Sequence, residues 1–179
     1  MAHLTTNWHV VTGGPSAGKS KTLEHLSFRG CKIIPEAARI LIDDEMSRGK
    51  TLQEIRRDEQ AFQERILQMK LEVEQKLNPR EHLFLDRGIA DSIAYFRFHG
   101  ADPKPAIDAS RHRVYKTVFL LDQVRFQRDE ARIESVESAR RINDLLLEAY
   151  AELGYTVIRV PVMPIADRVD FILAAAKIA

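Results

Sequence analysis

A chain of 179 residues is long enough for one domain with a true core and short for two, so a single domain spanning 1–179 is expected. Lys and Arg (27) nearly balance Asp and Glu (26), and a net charge of +1 gives no overall pull toward nucleic acid or an acidic membrane. One cysteine, Cys31, excludes an internal disulfide or a cysteine zinc cluster, and no apolar run nears the roughly 20 residues that cross a bilayer.

The opening MAHLTTNWHVV lacks the pattern of a secretion signal, so a cytoplasmic location is expected. Trp8 to Thr12 reads as a first strand. The run VVTGGPSAGKSKT then matches G-x-x-x-x-G-K-[ST], with Gly13, Gly18, Lys19 and Ser20 in the fixed positions. Glycines let such a loop turn its backbone N–H groups onto a phosphate, and the helix that follows brings its positive end to the same spot. The whole stretch Gly13, Gly14, Pro15, Ser16, Ala17, Gly18, Lys19, Ser20 and Lys21 is therefore the expected phosphate cradle. Lys19 would reach the outer phosphates and the Ser20 hydroxyl would hold Mg²⁺. Strand, loop and helix fall in the order the motif requires, since Lys19 to Phe28 reads as a helix ended by Arg29-Gly30.

Cys31 to Ile34 reads as a second strand, and Pro35-Glu36 opens a second helix. Thr51-x-x-Glu54 is a capping box that starts a long helix reaching about Leu77. Leu52, Ile55, Phe62, Ile66, Met69, Val73 and Leu77 trace one apolar stripe along it, a core face that could also serve a homodimer if exposed. His82 to Asp86 is a third strand, Ile89 to Phe98 a helix, and Pro103 to Ser110 a short helix. Lys116 to Asp122 is a fourth strand whose continuous apolar run suits burial on both faces. Gln123 to Glu134 is polar and arginine-rich, a candidate lid. Ser135 to about Leu153 is helical, Tyr155 to Val160 is a fifth strand, and Ile165 to Ile178 is a last helix. Alternating strands and helices predict a three-layer α/β domain with a five-stranded parallel sheet.

In such sheets ligands bind beyond the carboxyl ends of the strands, which picks out Gly13, Pro35-Glu36, Asp86-Arg87, Asp122 and Pro161. Asp86 ends an apolar strand, where an acid would hold the Mg²⁺ shell. Arg87 follows it where motor-type ATPases commonly carry a Glu that polarises water. An arginine cannot accept that proton but can clamp a phosphate, or pair with Asp91 or Glu36. Glu36 could accept the proton of an attacking hydroxyl, and Arg39, three residues on, could orient it or bind substrate. Arg125, Arg128 and Arg132 share one helix face and could neutralise a migrating phosphoryl group, Arg128 and Arg132 best of the three. The same residues would also make a solvated face paired with Asp129, Glu130 and Glu134. No H-E-x-x-H or N-K-x-D is present, which leaves ATP as the expected nucleotide.

TGGPSAGKSKTLEHL, IPEAARILI, LFLDRGIADSIAYF, YKTVFLLD with a downstream RIES, and GYTVIRVP together resemble the AAA-type ATPase/kinase family related to the ribosylnicotinamide kinase domain. They are also similar in layout to nucleoside and nucleotide kinases. The resemblance covers about Val10 to Leu173. It implies a P-loop NTPase fold with sheet order 2-3-1-4-5, binding of ATP and Mg²⁺, and an arginine-bearing lid. It also places the family's glutamate at Glu36, its Asp-Arg pair at Asp86-Arg87, and Asp91 and Tyr95 on the acceptor side.

The expected activity is phosphoryl transfer from ATP to a nucleoside, nucleotide or nicotinamide riboside. The catalytic group would be Lys19, Glu36, Asp86, Arg87, Arg128 and Arg132. The alternatives are a nucleoside triphosphatase switch and a module that binds nucleotide or phospholipid without turnover.

Overall fold

A computed structural model describes residues 4–123 and 133–178. Seven strands and eight helices alternate along them: β1 (Leu4–Thr5), β2 (Trp8–Thr12), α1 (Lys19–Phe28), β3 (Lys32–Ile34), α2 (Ala37–Ser47), α3 (Leu52–Ile55), α4 (Glu59–Lys76), β4 (Leu83–Asp86), α5 (Asp91–Phe98), α6 (Lys104–Ser110), β5 (Arg113–Val114), β6 (Thr117–Leu121), α7 (Ile133–Glu152), β7 (Val157–Val160) and α8 (Ile165–Ala176).

The main sheet is parallel throughout, in the order β3-β4-β2-β6-β7. Counted along its own five strands this is 2-3-1-4-5. The two-residue strands β1 and β5 pair separately and had no signal in the sequence pattern. The central strands are sealed on both faces because their residues alternate between two cores. Trp8, Val10, Leu83, Leu85, Val118 and Leu120 face Ile93 and Phe96 of α5 and Ile142, Leu145, Leu146 and Tyr150 of α7. The intervening Val11, Phe84, Phe119 and Leu121 face Leu23 and Leu26 of α1 and Val169, Ile172 and Leu173 of α8. Each fully buried side chain of this size stabilises the fold by about 1.5–3 kcal/mol.

One expected element is divided. The helix expected from Thr51 to Leu77 is two, α3 and α4. The capping box at Thr51 forms, with Thr51 Oγ1 accepting from the Glu54 N–H. Asp58 then acts as a second cap, its carboxylate accepting from the Ala61 N–H at 3.0 Å, and restarts the chain as α4. Ile55, Phe62 and Ile66 pack on Ala37 and Leu41 of α2 in a third cluster. The stripe is therefore used within the chain, which removes the exposed face that suggested a dimer. Leu52 alone among the stripe residues is exposed, at 48%.

The sheet order brings the carboxyl ends of β3, β4 and β2 side by side. The loop after β2, the residue after β3 and the pair at the end of β4 thus meet at one edge.

Candidate active site

The loop between β2 and α1 is shaped by three contacts. Gly18 caps α1 in the left-handed conformation (φ 82°), where a side chain would also meet Arg168 Nη1 at 2.7 Å. Gly14 passes so close to α7 that a Cβ would lie 2.7 Å from the Ala139 carbonyl oxygen. Its N–H donates to Asn143 Oδ1 at 3.0 Å, so this amide is held by α7 and turned away from the cradle. The N–H groups of Lys19, Ser20 and Lys21 donate to nothing among the described residues and form the open positive end of α1. Pro15, Ser16, Ser20 and Lys21 are exposed, while Ala17 is buried.

Lys19 lies within electrostatic reach of Arg87, Asp86, Glu36 and Asp91. Burial, reinforced by Arg87, lowers its pKa to about 8. Asp86, beside Val11 in the sheet, is shifted the other way. Burial and then Glu36 push its carboxyl up to about 6, and its Oδ1 is buried without a hydrogen bond. The orphaned Asp86 oxygen and the exposed Ser20 hydroxyl at the start of α1 are hard oxygen donors of the kind that fit Mg²⁺.

Arg87 sits in the left-handed conformation (φ 68°), which turns its side chain back over the strand ends. Its Nε donates to Glu36 Oε1 at 2.7 Å and its Nη1 to Asp91 Oδ1 at 3.3 Å. Its guanidinium lies 5.0 Å from the centre of the Tyr95 ring. Burial works against its charge, but Tyr95, Glu36 and Asp91 hold its pKa above the usual arginine value. Glu36 is the N-cap residue of α2 and is 27% exposed. Burial opposes its ionisation, yet Arg87 and Lys19 outweigh that and keep its pKa below the ordinary carboxylate value. Arg39 is exposed on α2, and the partner of Glu36 is Arg87 instead.

Asp91 is fully buried, and its two oxygens accept from Thr12 Oγ1, Tyr150 Oη, the Gly88 N–H and Arg87. It ties together the turn after β4, and it is not among the residues lining the cavity beside Glu36 and Arg87. Tyr95 does line it. Arg125, Arg128 and Arg132, with most of the expected lid, lie outside the described residues.

Cavities open beside this cluster and beside the loop; a small one, of about 30 Å³, touches Asp86, Arg87, Lys70 and Glu74. A second, of about 120 Å³, is lined by Glu36, Ala38, Ile42, Arg56, Phe62, Gln63, Ile66, Lys70, Arg87 and Tyr95. A third, wide and of about 600 Å³, lies past the ends of β6 and β7 between Asp122, Gln123, Arg140, Asn143, Asp144, Arg159 and Val162. Gln123 also donates to the Pro15 carbonyl at 3.1 Å, tying this third cavity to the cradle.

Several contributors were not read from the sequence. Lys70 is buried on α4 and donates to the Gly88 carbonyl (2.9 Å) and Ser92 Oγ (3.1 Å). Arg168 is buried on α8 behind the cradle and donates to the Ala17 carbonyl at 3.3 Å. Gln63, Leu67, Lys70 and Glu74 recur at steps of four, three and four. That spacing is the one signal that would have marked a second inward face on α4.

The architecture is an α/β P-loop fold, laid out as in nucleotide kinases. The chain belongs to the AAA domain family, which matches residues 8–168. No curated protein matches it by sequence. Among solved structures, it is similar to deoxyadenosine kinase from M. mycoides, bound to dCMP and dCDP, at 14% identity over 95% of this chain and 98% of that one (TM-score 0.66). It is also similar to the NadR protein in complex with NR, at 13% identity over 97% of this chain and 52% of that one (TM-score 0.72). A third is thymidylate kinase from Candida albicans, at 17% identity over 99% of this chain and 94% of that one (TM-score 0.61).

Proposed function

We propose that this protein transfers the γ-phosphoryl group of ATP to a hydroxyl- or phosphate-bearing small molecule of the nucleoside, nucleotide or nicotinamide riboside class. The observation that carries this reading is the Glu36–Arg87 pair at 2.7 Å. It stands on the wall of a partly apolar cavity, within electrostatic reach of the cradle lysine.

In this reading the triphosphate lies along the loop, with Lys19 and the free amides of α1 on its outer phosphates. Its nucleoside lies toward the wide cavity beside Asn143 and Val162. Ser20 and Asp86 would hold Mg²⁺, which would neutralise charge between the outer phosphates. The acceptor enters the cavity that Glu36 lines, with its hydroxyl at that carboxylate. Arg87 occupies one carboxylate oxygen of Glu36, and the other accepts nothing among the described residues, so it is free to take the hydroxyl proton. The acceptor oxygen bonds to the γ-phosphorus as the bond to the β-bridging oxygen breaks, and ADP leaves. Arg87 and the arginines at 128 and 132 would stabilise the migrating charge.

The test follows labelled γ-phosphate from Mg·ATP, alone and with an acceptor panel. Transfer that requires an acceptor is expected. Glu36→Gln should lower kcat by about 10²–10⁴-fold while leaving nucleotide affinity within about two-fold. Full activity in that variant would remove the proton-accepting role. Phosphate release independent of any acceptor would remove the kinase reading.

A further inference from the structure

Two arginines are buried among the described residues, and their surroundings differ. Arg87 meets two carboxylates, Glu36 and Asp91. Arg168, 5% exposed at the start of α8, meets none within ion-pair distance among the described residues. Its Nη1 donates to the Ala17 carbonyl at 3.3 Å and to Thr22 Oγ1 at 3.4 Å, both neutral, and its Nε is buried without a hydrogen bond. A guanidinium keeps its charge inside a protein, and burying a charge without a counter-charge is strongly unfavourable. The amino end of a helix adds to that cost, because its dipole favours an acid there. The free protein therefore holds a destabilising charge, and its location identifies what would offset it.

That location is the back of the phosphate loop. A trans peptide is planar, so its C=O and N–H point in opposite directions, and no peptide among the described residues is cis. Arg168 holds the Ala17 carbonyl from the α8 side, which turns the N–H of the same peptide, that of Gly18, the other way. Thr22 does this for the next peptide. Its Oγ1, which Arg168 also contacts, donates to the Gly18 carbonyl at 2.9 Å and leaves the Lys19 N–H facing outward. Neither amide donates to any group among the described residues. Gly18 is left-handed and Lys19 begins a right-handed helix, the pairing that makes successive amides a concave nest for an anion.

Resting on the phosphate-cradle part of the reading above, we propose that Arg168 is a positioning residue of the nucleotide site. From behind the loop it fixes the Ala17–Gly18 peptide with its amide toward the ligand, and its buried charge is offset when a polyphosphate occupies the cradle. Arg168 thus lowers the stability of the free protein while raising its affinity for the anion. A residue that only packs the loop against α8 would raise both.

Three variants test this by calorimetric titration with Mg·ATP and with inorganic tripolyphosphate, and by melting of the free protein. Arg168→Met removes the charge at similar length, Arg168→Gln removes it but keeps an N–H for the carbonyl, and Arg168→Lys retains it. Both neutral variants should bind both ligands at least about ten-fold more weakly. Their free proteins should melt no lower than the unaltered one. Arg168→Lys should bind within about three-fold of the unaltered protein. Affinity within about two-fold in both neutral variants overturns the proposal and leaves the cradle standing. Weaker binding with a lower melting temperature in both overturns it too, because Arg168 then acts by packing. A loss in Arg168→Lys equal to that in Arg168→Met also overturns it, since charge is then not the cause. Absence of binding of either ligand to the unaltered protein overturns the cradle reading, and the proposal with it.

Discussion

Asp86 and Lys19 are shifted in opposite directions by one shared site, and this sets a pH window for ligand binding. Asp86, raised to about 6, must be ionised to hold a cation, so affinity for Mg·ATP should fall as pH drops below that value. Lys19, lowered to about 8, loses its charge in the free protein above that value, so affinity should also fall on the alkaline side. Calorimetric titration should show a plateau between about pH 6 and 8, with up to roughly ten-fold loss per unit beyond it. Asp86→Asn should erase the acid limb, and Lys19→Arg should move the alkaline limb upward because arginine stays charged. An acid limb that survives in Asp86→Asn would detach the effect from that carboxyl. The places of Glu36 and Asp86 were open to sequence reading because each sits at a strand end. The partner of Glu36 was harder to choose, since helix spacing offers Arg39 as readily as the strand crossing offers Arg87. The left-handed turn at Arg87 decides it, and nothing in local propensity announces that conformation.

At the scale of elements, the cradle depends on what packs behind it. α7 approaches Gly14, and α8 supplies Arg168 beneath Ala17. Gly14→Ala should therefore act twice. Its methyl would stand 2.7 Å from the Ala139 carbonyl, so α7 or the loop must shift. A loss of about 1–3 kcal/mol in denaturant unfolding is expected, together with at least a ten-fold weaker affinity for the triphosphate. Unchanged affinity would mean that the loop is not held by α7. Most elements were legible because their periodicity was clean: two-residue alternation is hidden in the buried strands, but their length and flanking glycines mark them. The break between α3 and α4 was missed because the apolar stripe runs on through it, and only the cap at Asp58 marks the restart. The inward polar face of α4 was missed for a related reason. Lys70 and Glu74 look solvated until their partners in the turn before α5, on α5 and near β6 are known.

The whole molecule adds a buried titrating group away from the site. His9 is fully buried between the central strands and α1 and stacks on Phe84 with ring centres 5.0 Å apart. Burial, then His82 and Lys116, lower its pKa from 6.5 to about 4. The unfolded chain therefore binds a proton that the folded chain refuses between those values, and stability falls as pH drops from about 6.5 to 4. The contribution is about 3 kcal/mol at most. Unfolding midpoints measured across that range should flatten in His9→Leu relative to the unaltered protein, and parallel curves would assign the loss elsewhere.

The parallel sheet and the two-sided core follow from sequence pattern, the strand order follows from the family resemblance, and the meeting of β2, β3 and β4 ends follows from that order. What pattern could not supply is the shape of the cavity that this meeting creates, because α2, α3 and α4 enclose it through contacts far apart in the chain.

Phosphorus NMR of the protein with Mg·ATP and a nucleoside addresses the central claim most directly. Formation of ADP in step with a new phosphomonoester resonance, and no change without the nucleoside, is the predicted result. Accumulation of inorganic phosphate at the same rate with or without the nucleoside would contradict it.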